Sequence, residues 1–82
     1  MNLYLLSADG TILDEAPNVE TVREARELIS RQEPPPDFWA LADEIGHSVS
    51  LARICRVSDG VVSHHFFETA ADLSRLIKEF PA

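Results

Sequence analysis

The stretch Pro34-Pro35-Pro36-Asp37-Phe38-Trp39-Ala40-Leu41-Ala42-Asp43-Glu44-Ile45-Gly46 decides the architecture of this chain. Prolines lack the amide donor and push the residue before them out of the α region, so a helix arriving from upstream ends at Glu33. The triplet itself is a stiff spacer, too short and isolated to be a proline-rich recognition ligand. Beyond it, Asp37 is placed to cap a short helix with Phe38, Leu41, Ala42 and Ile45 on one face and Gly46 just past its end. The core of that stretch, F-W-A-L-A, is also an apolar run of strand length, and periodicity alone does not separate the two. The helix is the expectation here and the strand its competitor.

Upstream, N-L-Y-L-L-S-A (2–8) has strand character. It is followed by Asp9-Gly10, a two-residue hairpin signal, with T-I-L-D-E as the return strand and Pro17-Asn18 ending it. A helix is expected over roughly 21–32. Thr21 and Glu24 fit a capping box there, and Val22, Ala25, Leu28 and Ile29 recur at helical spacing. Downstream, S-V-S-L-A-R-I-C-R-V and V-V-S-H-H-F-F flank Asp59-Gly60, the clearest hairpin signal in the chain. The last helix starts at a second capping box, Thr69 and Asp72, and carries Ala70, Leu73, Leu76, Ile77 and Phe80 on one face. Lys78 lies near its negative end and Pro81 just beyond.

The two capped helices resemble each other. Glu20-Thr21 through Leu28-Ile29 and Glu68-Thr69 through Leu76-Ile77 match at Glu, Thr, Leu and Ile, and each helix follows an Asp-Gly turn by about ten residues. Two hairpin-plus-helix units explain this, although two well-capped helices also converge on four identities in ten. The fold expected is α+β: a single small domain spanning 1–82, with an antiparallel sheet and two or three helices on one face.

Composition narrows the function. The chain has 82 residues, 45% of them hydrophobic and 26% charged, which is ordinary globular content. One cysteine, Cys55, cannot form an intramolecular disulfide, which points to a reducing compartment and a cytoplasmic location. The N-terminal apolar run of four lacks a basic flank and reads as neither signal peptide nor anchor. No run approaches the roughly 20 apolar residues of a membrane span. The charge is unevenly spread: residues 1–47 hold ten acids against three arginines, a balance of −7, whereas four acids and four bases cancel in 48–82. Phosphate binding draws its affinity from cations, so direct nucleic-acid binding is disfavoured.

The chemistry-bearing residues lie around the second Asp-Gly turn. If that turn is a two-residue loop, Cys55 stands opposite His64, an arrangement open to a thiolate–imidazole pair or two metal ligands. In a three-residue loop Cys55 faces Ser63 instead. Even with His47 added, the first register supplies fewer ligands than a closed zinc site needs, and no oxyanion-binding element accompanies the thiol. The three glycines are used by turns and a helix end, which leaves none for a phosphate-cradling loop, and no catalytic fingerprint is present. No catalytic residue, metal or cofactor is therefore expected.

What remains is surface for partners. The expectation is a non-catalytic acidic module whose residues Asp14, Glu15, Glu20, Glu24 and Glu27 engage a basic protein partner. Its most concrete form is a small inhibitor that occludes a nucleic-acid-binding surface, of the kind phages use against bacterial defence, including anti-CRISPR proteins; size and acidity alone suggest that class. Two rivals stand beside it. One is an oligomeric regulatory or structural subunit, for example a homodimer, using an apolar face of the 49–67 hairpin; the other is a Cys55/His64 metal or thiol enzyme.

Overall fold

Five residues, Phe38–Ala42, form a strand, and every one of them is buried. A short surface helix needs a polar side, and this segment has none; a central strand covered on both faces is the structure that buries every position. A computed structural model, describing residues 1–42 and 49–80, thus replaces the expected Asp37-capped helix with a strand, and Ile45 and Gly46 lie outside the described residues. In chain order the elements are β1 (Asn2–Leu6), β2 (Ile12–Ala16), α1 (Val22–Ile29), β3 (Phe38–Ala42), β4 (Ser50–Arg56), β5 (Val62–Phe67) and α2 (Ala70–Lys78). The fold is α+β: one antiparallel sheet in the order β2-β1-β3-β4-β5, with two helices among the described residues.

Both helices start where their caps dictate. The Thr21 hydroxyl accepts from Glu24 N at 3.1 Å, and the Glu24 carboxylate accepts from Glu20 N at 3.2 Å. In α2 the capping box closes fully: Thr69 accepts from Asp72 N, and Asp72 accepts from the amides of Thr69 and Glu68. Each cap satisfies amides that the first helical turn leaves without an intrahelical partner.

The helices do not share a face. Successive side chains of a strand point to opposite sides, so β1 and β3 each feed two separate clusters. On one side Leu3, Leu5, Trp39, Leu41 and Cys55 pack with Ala25 and Ile29 of α1. On the other, Tyr4, Leu6, Ala40, Ala52, Ile54 and Phe67 pack with Leu73 and Ile77 of α2. The expectation of helices on one face is corrected accordingly. It overlooked that L-Y-L-L and F-W-A-L-A have no polar alternation and so need cover on both sides.

The hairpin registers also differ from the two-residue loop expected at Asp9-Gly10 and from both the two-residue and three-residue loops considered at Asp59-Gly60. Leu6 pairs with Ile12, so residues 7–11 form the first turn, and a register shift between Leu5 and Leu6 leaves Leu13 as the extra residue of a bulge. At the second turn the last pair is Cys55 with Val62. There Gly60 N donates to Arg56 O at 2.9 Å and Val61 N to the Asp59 carboxylate at 2.9 Å, which closes a longer loop.

Candidate functional site

The β4–β5 register settles the question of the cysteine and the histidines. Cys55 stands opposite Val62, His64 opposite Arg53, and His65 opposite Ala52. Neither register considered from sequence occurs. Cys55 and His64 share the α1 side of the sheet but sit two pairs apart, with the Ile54–Ser63 pair between them. Cys55 is 2% exposed and lies in the cluster beneath α1, whereas His64 is exposed. Burial pushes the Cys55 thiol above its ordinary value, and the nearby Arg26 offsets this only in part. A raised thiol is a poor nucleophile at neutral pH. Its Sγ donates to Arg56 O at 3.5 Å, and a shallow cavity of about 250 Å³ between Arg26, Ile29, Trp39 and Gly60 opens above it. Among the described residues no three His, Cys, Asp or Glu side chains gather as metal ligands; His47 lies outside them.

The five acidic positions are all exposed: Asp14 and Glu15 on the β2 edge, Glu20 just ahead of α1, and Glu24 and Glu27 on α1. Asp14 is paired with Leu5 and points to the α1 side; Glu15 is paired with Tyr4 and points to the α2 side. Asp14 therefore shares a side with α1, and Glu15 does not. Glu20 meets the N-terminal ammonium at 3.3 Å, Glu24 is engaged by the helix cap, and Glu27 lies 3.9 Å from Arg23. The Arg23–Glu27 pair is largely solvent-exposed, and contacts of this kind contribute about 0–1 kcal/mol; α1 carries two arginines beside its two glutamates, so Asp14 and Glu15 on β2 are the acids with no cation on their own element. Arg26 turns away from these carboxylates, donating to Gly60 O at 3.3 Å.

Sequence reasoning missed a second feature. The Arg56 guanidinium lies over two rings, 5.7 Å from the Phe38 centroid and 5.1 Å from that of Phe80, and also meets Asp59 at 3.4 Å. The rings themselves meet edge to face at 5.2 Å. Beside them a groove of about 330 Å³ runs between Pro35, Pro36 and Ser58. The signal in sequence was Arg56 three residues ahead of Asp59, but pairing it with Phe38 required knowing that 38–42 is a strand.

The apolar hairpin resolves into covered and uncovered parts. Phe67 is 3% exposed under α2, while Phe66 is 72% exposed and faces Leu51 across the strands. Set against family models, curated proteins and solved structures, the chain matches none. No helix among the described residues is long and apolar enough to cross a membrane.

Proposed function

We propose that this protein is a non-catalytic protein-binding module whose acidic end engages a basic partner, acting as a small inhibitor that occludes a nucleic-acid-binding surface. The observation that carries this reading is the exposure of Asp14 and Glu15 on β2, Glu20 just ahead of α1, and Glu24 and Glu27 on α1, within a segment that holds ten acids and three arginines. A surface of one sign raises the local concentration of an oppositely charged partner and speeds its capture. The paired arrangement supports the reading further: the chain reads as two hairpin-plus-helix units about β3, each ending its hairpin in an edge strand, and only the β2 edge carries the acids.

The test is competition for a cationic probe. An arginine-rich peptide bound to duplex DNA is titrated with the protein at about 0.15 M salt, where the Debye length is about 8 Å. The wild type displaces the DNA. A variant with Asp14→Asn, Glu15→Gln, Glu20→Gln, Glu24→Gln and Glu27→Gln does not. Equal displacement by the two proteins removes these carboxylates from the function.

A further inference from the structure

The two edges of the sheet are built differently. At β2 the edge carries a bulge at Leu13 and two adjacent acids, Asp14 and Glu15, which are devices that keep an edge from pairing with another chain. In β5, Val62–Phe67, there is no lysine, acid or proline, and no register shift in its pairing with β4. Among the described residues no strand lies beyond β5, so its outer row of backbone donors and acceptors faces outward. Val61 is 61% exposed and Phe66 72% exposed along that edge.

We propose that the outer edge of β5 pairs with β5 of a second copy of this chain, antiparallel and about a two-fold axis, joining two five-stranded sheets into one. This rests on the β5 edge and is independent of the acidic end. Two features single out a second copy as the occupant. The first is charge: residues 48–82 balance to zero, and the opposite edge strand, β2, carries Asp14 and Glu15 with no base, so two copies meeting at β5 place these acidic edges farthest apart.

The second feature is self-complementarity. A two-fold axis normal to the sheet keeps opposed side chains on the same face. Centring the pair on His64 then sets Val62 of each chain against Phe66 of the other on the α1 side, and Ser63 against His65 on the α2 side. The next register, centred on His65, sets Val62 against Glu68 and Phe66 against His64, and loses the apolar match. The strand thus favours one symmetric register, the usual geometry of a self-pairing interface.

Light scattering on the purified chain, with circular dichroism to verify folding, tests this. The wild type runs at twice the 9.1 kDa chain mass. Phe66→Lys, at an exposed position that the monomer does not need, dimerises about tenfold more weakly or less. Leu13→Lys, on the other edge, leaves the dimer unchanged. A wild type that is monomeric up to about 1 mM overturns the proposal, and so does a dimer that Phe66→Lys leaves intact or that Leu13→Lys dissolves.

Discussion

Gly10 and Gly60 share a positive φ and little else. A side chain at Gly60 (φ +70) would meet nothing within 4 Å, whereas a Cβ at Gly10 (φ +87) would lie 2.5 Å from the carbonyl oxygen of Ser74 in α2. Gly60→Ala carries only the left-handed backbone penalty, about 1–2 kcal/mol. Gly10→Ala adds overpacking against a backbone that cannot swing aside, for about 2–5 kcal/mol in total. Urea midpoints of the two variants give the comparison, and equal losses would show that the turn does not press on the helix. Asp9 in the same turn accepts from the Ser7 hydroxyl and from Thr11, which holds its carboxyl at about 2. The backbone amides of Glu68 and Thr69 likewise hold Asp72 below the usual carboxylate range. For both groups the unfolded chain takes up its proton first as pH falls from about 4, so their contribution is complete above that pH and is lost below it. Asp9→Asn should therefore flatten the fall in stability between about pH 4 and 2, and Asp72→Asn should flatten it below about pH 4, read from urea midpoints across the acid range. If the acid limb keeps its slope in both variants, these caps do not govern it.

Among the elements, the capped helices were legible in sequence and the central strand was not. Thr21 with Glu24 and Thr69 with Asp72 stand at fixed spacing ahead of periodic apolar residues, so cap and period agree. Replacing Thr69 by Ala should cost about 1 kcal/mol, and Thr21→Ala a similar or smaller amount, since only α2 closes its box on the cap residue's own amide. Thermal unfolding of the two single variants measures this. β3 escaped because full burial erases the alternation by which a strand is recognised, and the proline triplet before it suits a helix start equally well. The turns escaped for another reason: their lengths are set by side chains, Asp9 bonding Thr11 and Asp59 bonding Val61, and an Asp-Gly pair does not reveal how far the loop extends around it. The acids of the candidate site could be read by composition, but that Glu15 faces away from Asp14 needed the β1–β2 register. Sheet position also orders the backbone dynamics. Amides of β3, buried and paired on both sides, should exchange most slowly and those of β2 soon after exposure to heavy water; hydrogen exchange followed by NMR decides, and rapid exchange in β3 would contradict its central place.

For the molecule as a whole, charge and topology pull against each other. A net charge of −7 on 82 residues, drawn wholly from residues 1–47, repels itself in the folded state more than in the extended chain. Raising sodium chloride from low concentration to about 0.5 M shortens the screening length to below 8 Å, and the urea midpoint should rise with no change in m. A midpoint that falls or stays level would mean that the Arg23–Glu27 and N-terminal contacts already neutralise that field. The sheet separates two hydrophobic compartments, and each compartment is closed by one helix alone. The first strand contributes to both, through Leu3 and Leu5 on one wall and Tyr4 and Leu6 on the other, so its burial is finished only when Ile77, the eighth residue of α2, is in place. A nascent chain therefore carries an oily, half-covered β1 until α2 has emerged, and a chain shortened ahead of Leu73 would leave that wall bare and prone to clump.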